Sequence, residues 1–202
     1  MNLIQDTLEL VRDRLNGYFQ IADPATEDWV VLSNLVEPGG QVVESSRNKL
    51  VMFLANIQQD TTISTWQPNA PMGGSKFATL TPPIYINLSL LFFANFSGQN
   101  YSQGLAMISS TIQFFQQNPI FDHQRLPDLP VQIDKLAFEF NNLEPVELNY
   151  LMGLAGVKYL PSVYYKLRMI PFRSDAIQQQ NSAVKGYQIP GEPADPHEQS
   201  SS

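Results

Sequence analysis

Ile84–Phe96 reads IYINLSLLFFANF and is the most regular apolar stretch of this 202-residue chain. Apolar residues fill every second position, and Tyr85, Asn87, Ser89 and Asn95 mark the positions between them. Because successive side chains of a β-strand point to opposite faces, this alternation predicts a strand of the main sheet. The stretch falls well short of the roughly 18 apolar residues that a membrane-spanning helix needs, so we expect no direct membrane insertion.

Two runs before this stretch also favour β-structure. Trp29–Val36 is rich in β-branched and aromatic residues, and Lys49–Ile57 alternates two apolar sets. The sequence EPGG at Glu37–Gly40, between the two runs, is typical of a turn. We therefore expect the two runs to pair as a hairpin.

Three segments place their apolar residues at helical spacing. They are residues 2–19, Tyr101–Gln117 and a short segment that begins near Pro145, a residue suited to a first helical turn. The side chains expected to face inward are Ile4, Leu8, Val11, Leu15 and Tyr18 in the first helix, Leu105, Ile108, Ile112 and Phe115 in the second, and Leu148, Leu151 and Ala155 in the third.

The remaining stretches include two further predicted strands and a long loop. Val131–Phe140 changes its apolar phase near Asp134, which a β-bulge would explain. Val163–Met169 alternates cleanly between apolar and polar or aromatic residues. Residues 59–82 combine Pro and Gly with many Ser, Thr and Gln, and a loop of this length is usually functional or disordered.

Together these elements predict an α+β fold. We expect a mostly antiparallel or mixed sheet of about four to five strands, with helices packed on it. One domain should cover residues 1–172 and include the loop 59–82. Residues 173–202 are rich in Gln, Ser, Pro and Gly, which predicts a disordered or extended C-terminal tail.

Composition and charge exclude several classes of function. The chain has 12 basic and 19 acidic residues, a net charge of −7, and shows no basic stripe, so we expect no nucleic-acid partner. It has no cysteine, which excludes disulfides and thiol catalysis. Residues 1–6 lack the basic and apolar regions of a signal peptide, and we therefore expect synthesis in the cytoplasm.

The sequence shows no arrangement of residues that supports catalysis, and we expect no enzyme activity, cofactor or metal. His123 lies beside Asp122 and Arg125 in a predicted loop, so a small hydrolase or a ligand-binding domain built on it is the alternative. Glu144 and Glu147 stand at a predicted helix start, where carboxylates favour the helix dipole.

The segment Tyr159–Arg168 is the best candidate for a contact surface. It combines tyrosines, a proline and two cations on the predicted strand Val163–Met169, and Tyr and Arg are enriched in protein interfaces. The strand is either half solvated or a free edge that accepts a neighbour's strand. The residues proposed to form this contact surface are Tyr159, Pro161, Tyr164, Lys166 and Arg168, with Trp66 and Lys76 from the loop 59–82.

Several stretches, taken in order, resemble the cap or tail-terminator proteins of extracellular contractile injection systems, the phage-tail-like particles of the antifeeding-prophage and virulence-cassette type. The resemblance covers about residues 3–170, and its most specific part is 143–170. The matching stretches are Leu10–Tyr18, Asn48–Val51, Pro83–Leu88, Phe93–Phe96, Phe114–Gln116, Leu143–Gly156, Lys158–Ser162 and Tyr165–Met169.

The resemblance implies a structural role without chemistry. Members of this family are similar to phage tail terminators, which close into a six-fold ring on the end of the inner tube and sheath away from the baseplate. We therefore expect a homo-oligomer, namely a hexamer, that contacts tube and sheath subunits. It would be part of a particle that can leave the cell. A baseplate or sheath adaptor of the same particle is the alternative within this class.

Overall fold

A computed structural model describes residues 2–22, 28–62, 70–71, 76–80, 83–172 and 177–182. The helices are α1 (Leu3–Ala22), α2 (Tyr101–Gln117) and α3 (Pro145–Leu154). The strands are β1 (Val30–Leu32), β2 (Lys49–Gln59), β3 (Ala70–Pro71), β4 (Lys76–Leu80), β5 (Ile84–Asn95), β6 (Ile120–Asp122), β7 (Lys135–Asn141), β8 (Ser162–Phe172) and β9 (Ile177–Ser182).

The chain divides into two compact units. The first comprises Met1–Thr65 and Pro83–Arg173, and its described residues form a six-stranded sheet in the order β1-β2-β5-β8-β7-β6. This mixed sheet confirms the predicted α+β class, with six strands where the sequence predicts four to five. The strand predicted most clearly, β5, lies inside the sheet and pairs antiparallel with both β2 and β8.

The second unit comprises Trp66–Pro82 and Ser174–Ser202 and contains a three-stranded sheet in the order β3-β4-β9. Strands β3 and β4 lie within the predicted loop 59–82. Strand β9 lies within the predicted tail and pairs antiparallel with β4. The described part of residues 173–202 is thus an extended strand, and the domain boundary near residue 172 stays a prediction.

The predicted hairpin between the first two strands is wrong, because β1 pairs parallel to β2. The turn at Glu37–Gly40 does form: the Glu37 backbone N–H donates to the Gln41 carbonyl at 2.7 Å. It closes a small antiparallel bridge between Val36 and Val42 instead of joining the two strands. The connection from β1 to β2 is then long enough for the crossover that a parallel pair requires.

The larger part of the core lies between the sheet and the helices α1 and α2. It includes Leu15 from α1, Phe115 from α2, and Phe92 and Tyr165 from the sheet, all of them buried. A smaller cluster lies on the opposite face, under α3. Fully burying one such side chain contributes about 1.5–3 kcal/mol, so the two clusters hold both faces of the sheet.

Helix α2 buries only part of the face that the sequence predicts: Phe115 is buried and Ile108 packs against the core. Its buried residues are Gly104, Met107, Thr111, Phe114 and Phe115, whereas Leu105 and Ile112 are exposed. A Cβ on Gly104 would lie 3.1 Å from the side chain of Phe96, so the missing side chain lets the helix approach the sheet closely. Phe114 and Phe115 pack against the rings of neighbouring aromatic residues, and this packing decides which side of α2 is buried.

The bulge predicted near Asp134 is also wrong. Residues 131–134 form a turn before β7, which begins at Lys135, and the buried Ile133 belongs to that turn. The change of apolar phase therefore marks the start of the strand. The register shifts of this sheet lie elsewhere, between Leu54 and Asn56 in β2 and beside Ile86 and Leu88 where β5 pairs with β8.

Candidate subunit interface

Helix α3 is apolar on both of its sides. Met152 on the inner side is buried in the smaller core cluster, and Leu148 and Leu151 pack against that cluster. On the outer side Val146, Tyr150 and Leu154 follow one another at a spacing of four residues, with exposed fractions of 64%, 74% and 62%. We call these three residues the α3 stripe. Apolar side chains aligned in this way on a surface mark a contact site.

Both ends of α3 are held in place. Pro145 occupies the first turn, and the Glu147 carboxylate accepts a hydrogen bond from the Glu144 backbone N–H at 3.0 Å. Gly156 follows the helix with a φ of +75°, and a Cβ there would lie 3.3 Å from Val36. The prediction that the two glutamates serve the helix start is confirmed. The stripe is therefore presented on a well-anchored helix.

A polar groove of about 520 Å³ lies beside α3 on the same side of the first unit. The side chains of Tyr164 and Lys166 on β8 and Glu139 on β7 enter it from the sheet, because β8 and β7 pair in register there. Its lining residues are Gln58, Glu139, Asn141, Asn142, Leu143, Glu147, Tyr150, Leu151, Tyr164 and Lys166. Tyr150 belongs to both surfaces, so the groove and the α3 stripe are continuous.

Four residues form what we call the Asp60 clamp. Asp60 and Thr62 follow the end of β2, Arg168 lies in β8 and Glu139 lies in β7. Arg168 donates to one Asp60 oxygen from Nη2 at 2.8 Å and from Nε at 3.1 Å, and to Glu139 from Nη1 at 2.8 Å. The Thr62 hydroxyl donates to the other Asp60 oxygen at 2.6 Å. Burial by itself would raise the pKa of Asp60, but the hydrogen bonds from Thr62 and Arg168 hold that pKa well below its usual value.

Lys166 lies on the same strand and the same face as Arg168, but it does not share the ion pairs of Arg168. Among the residues that the structure describes, no acceptor lies within hydrogen-bonding or ion-pair distance of Lys166. Glu139, its cross-strand neighbour, pairs with Arg168 instead. Lys166 thus presents a cation in the polar groove that a carboxylate from another chain can reach.

A second groove, of about 460 Å³, lies on the opposite face of the sheet beside α2. Ile112 and Phe140 form its exposed apolar parts, and its full lining is Ile112, Phe115, Gln116, Pro119, Phe138, Phe140 and Tyr165. Burial raises the pKa of Tyr165 to about 12, so this phenol is neutral at physiological pH. We call this surface the α2 groove, and none of its lining residues carries a charge.

The structure corrects the interpretation of Val163–Met169 as a docking edge. β8 lies between β5 and β7, and its pairing with β7 covers Tyr164–Arg168, so the edge expected to accept a neighbour's strand is already occupied there. Arg168 forms ion pairs with Asp60 and Glu139 within the chain. The sequence pattern could not show this, because the number of strands beyond β8 depends on long-range pairing.

The other predicted contact residues are divided between several places. Tyr159 is 63% exposed. Pro161 is buried, and its carbonyl accepts a hydrogen bond from the Ala94 N–H at 2.9 Å. The Tyr164 hydroxyl donates to Ser89 at 2.8 Å. Lys76 lies in β4 opposite Ser182 in the second unit.

Trp66 lies outside the described residues. The structure brings Tyr164, Lys166 and Arg168 together on one face of the sheet.

The α3 stripe is the surface that sequence reasoning missed. The signal was present, because PVELNYLMGL carries one charged residue in ten and therefore has no polar face. A helix that is apolar on all sides either lies in a core or meets a partner, and the exposure of Val146, Tyr150 and Leu154 excludes full burial within this chain.

The alternative catalytic centre at His123 finds no support in the geometry. His123 is exposed in a turn, and the Asp122 carboxylate accepts hydrogen bonds from the backbone N–H groups of Gln124 and Arg125. Asp122 therefore shapes the turn and does not orient the imidazole. Among the described residues, no three His, Asp or Glu side chains are placed to hold a metal ion.

Comparison with known proteins identifies the class of this fold. The sheath/tube terminator of the extracellular contractile injection system PVC in its extended state aligns with a TM-score of 0.57 and 14% identity, over 98% of this chain and 65% of that one. The tube-terminating cap of the anti-feeding prophage aligns with a TM-score of 0.56 and 15% identity, over 91% of this chain and 61% of that one. This chain thus has the fold of tube terminators and spans less than two thirds of each.

Residues 6–186 match the Pvc16 N-terminal domain, and the chain belongs to that family. The resemblance to the cap proteins of contractile injection systems is confirmed by this match. No curated protein matches the chain. None of the helices in the described ranges is long and apolar enough to cross a membrane.

Proposed function

We propose that this protein is a structural cap that forms a ring, most simply of six copies, on the end of the tube and sheath of a contractile injection system. One observation carries the proposal: residues 6–186 match the Pvc16 N-terminal domain, and the fold of the same chain aligns with two solved tube terminators. The ring prevents further addition of tube and sheath subunits and thereby fixes the length of the particle.

The described surface supports a role in assembly more than a role in chemistry. It carries an apolar α3 stripe and an uncharged α2 groove, whereas the histidine candidate site is a solvent-facing turn. We propose that the protein is not an enzyme, needs no cofactor and binds no nucleic acid. It is synthesised in the cytoplasm, does not insert into a membrane itself, and is released only as part of the assembled particle.

Lys166 is the predicted contact residue that the geometry favours most. Its side chain lines the polar groove without a described acceptor, and Tyr150 of the α3 stripe lines the same groove. In an assembly of chains that each carry a net charge of −7, a neighbour is a ready source of carboxylates. We propose that Lys166 pairs with such a carboxylate at the rim of the subunit contact, with Tyr159 and Tyr164 as further contact residues.

Electron microscopy with reconstituted particles tests the function. Tube and sheath subunits are assembled on a baseplate with and without this protein, and the gold-labelled protein is located. We expect six-fold rings at the end away from the baseplate and a narrower distribution of particle lengths. Label at the baseplate would instead identify an adaptor. A protein that stays monomeric at high concentration and binds no tube end would refute the proposal.

A matched pair of charge reversals tests the role of Lys166. Lys166→Glu should weaken ring formation at least tenfold, because it places a like charge opposite the neighbour's carboxylate. Lys135→Glu is the control, since it makes the same charge change on an exposed residue near the start of β7, outside the polar groove. Equal ring formation by both variants, measured by mass photometry, would remove Lys166 from the interface.

A further inference from the structure

The first unit carries two different apolar surfaces on opposite faces of one sheet. The α3 stripe lies over the face that buries Phe93 and Met152, and the α2 groove opens on the face that buries Phe92 and Phe115. One surface is the outer side of a helix and the other is a depression between a helix and two strands. A single chain therefore offers both halves of a possible contact.

We propose that the subunits of the ring join head to tail, with the α3 stripe of one copy seated in the α2 groove of the next. This inference rests on the proposed ring and names the two surfaces that form it. A contact between two different patches of the same chain is heterologous, and repetition of such a contact with a suitable rotation closes a ring. The occupant of the α2 groove is accordingly a second copy of this chain.

The chemistry of the two surfaces is matched. Val146, Tyr150 and Leu154 are uncharged, and so are all residues that line the α2 groove, including the neutral Tyr165. Bringing them together removes apolar surface from water without the cost of burying a charge. Phe140, which is 51% exposed, and Ile112 would be covered by the inserted stripe.

The α3 stripe and the α2 groove are too small to form the whole interface, so they form its centre. A stable interface buries about 800 Å² on each partner, more than three side chains alone can provide. The polar groove that adjoins Tyr150 extends the contact area and forms part of its rim, which is the usual arrangement of an apolar centre within a polar border. Lys166 lies in this border.

A contact of the stripe with itself makes a different prediction. Two stripes that pair around a two-fold axis would give a closed dimer and leave the α2 groove open to water on both copies. Such a dimer cannot extend to a ring through the same contact. The two arrangements differ in which pairs of variants can still associate with each other.

Two variants break the contact from opposite sides. The stripe variant carries Tyr150→Ser with Leu154→Gln, and the groove variant carries Ile112→Gln with Phe140→Ser. Because Phe140 also packs on Tyr165 at a ring distance of 5.4 Å, Ile112→Glu alone serves as a second groove variant. Circular dichroism and thermal melting identify the variants that keep the wild-type fold, and only these are compared for ring formation.

Each variant alone should be monomeric under conditions in which the wild-type protein forms rings. An equimolar mixture should give a discrete 1:1 dimer by native mass spectrometry, because the intact stripe of one variant meets the intact groove of the other. A stripe variant that still forms rings, or folded variants that fail to combine in the mixture, would overturn the head-to-tail contact. Rings of the stripe variant that no longer bind tube or sheath would assign the stripe to those partners instead.

The wild-type protein separates the two proposals. If it forms rings on tube ends while the stripe and groove variants do so equally well, the proposed function stands and only the contact surfaces are wrong. If the wild-type protein forms no rings and binds no tube end, the proposed function itself fails.

Discussion

The two faces of the six-stranded sheet are built differently, and the neighbours Phe92 and Phe93 show the contrast. Phe92 points toward α1 and α2 into a large cluster, where it meets the rings of Phe115 and Tyr165. Phe93 points toward α3 into a smaller cluster, where it meets Phe53. The first face mainly holds the fold together. The second is apolar only under α3 and then becomes polar, and it carries the α3 stripe and the polar groove, whereas the first carries the α2 groove.

The largest expected effect tests this contrast at adjacent positions of β5. Phe92→Ala and Phe93→Ala should each lower the free energy of unfolding by about 3–5 kcal/mol, since each leaves a cavity in a packed region. The loss should be greater at Phe92, where more of the surrounding core is aromatic. Denaturant unfolding measures both values. A distinctly greater loss at Phe93 would reverse the assignment of the faces.

A somewhat smaller effect is expected at the Asp60 clamp. Asp60→Asn should cost roughly 2–4 kcal/mol, because it keeps the shape of the side chain but removes the buried partner of Arg168. Glu139→Gln is the control on the same arginine. The Glu139 side chain is 46% exposed, so its removal should cost less than about 1 kcal/mol. A cost for Glu139→Gln that equals or exceeds that of Asp60→Asn would show that the clamp is held from its solvent side.

The same clamp predicts a pH dependence. The pKa of Asp60 is lower in the folded protein than in the unfolded chain, so its contribution is complete above the unfolded value and is lost as the pH falls toward the folded value. Wild-type stability should therefore decline below about pH 5, and Asp60→Asn should flatten this decline. Chemical unfolding at several pH values measures the slope. Parallel slopes for the two proteins would exclude Asp60 as the cause.

The smallest effects concern two glycines near the end of α3, for which we expect opposite signs. Gly156→Ala should cost about 1–2 kcal/mol, because the position has a φ of +75° and a Cβ would meet Val36 at 3.3 Å. Gly153→Ala should raise stability by up to about 1 kcal/mol, since it lies within the helix and a Cβ there meets nothing within 4 Å. Thermal melting compares the two. If Gly156→Ala were as stable as the wild type, the end of α3 would not be anchored as described.

Much of the fold follows from local patterns that are visible in the chain. The alternation of Ile84–Phe96 identifies β5, and the position of Pro145 after Glu144 identifies the start of α3. Where two patterns compete, local information is insufficient. In α2 the aliphatic stripe that includes Leu105 and Ile112 is regular, yet the side with Gly104 and Phe114 is buried, because that side fits against Phe96 and the neighbouring rings.

The candidate interface was only partly predictable. The sequence identifies Lys166 and Arg168 as cations on one side of a strand, and the structure places both on that side. It does not show that Asp60, 108 positions away in the sequence, occupies Arg168 and leaves Lys166 without a described partner. The free edge expected at β8 was wrong for the same reason, since β7 covers it through pairing between distant segments.

The amino-acid sequence by itself determined the α+β class, the position of β5, the start of α3, and membership of a family of cap proteins. These properties depend on spacing, capping and composition, which are local along the chain. Only the tertiary structure decided which faces of α2 and α3 are exposed, that β1 runs parallel to β2, and which of two neighbouring cations is already neutralised. Each of these depends on contacts between residues far apart in sequence, and local preferences do not specify which distant segments meet.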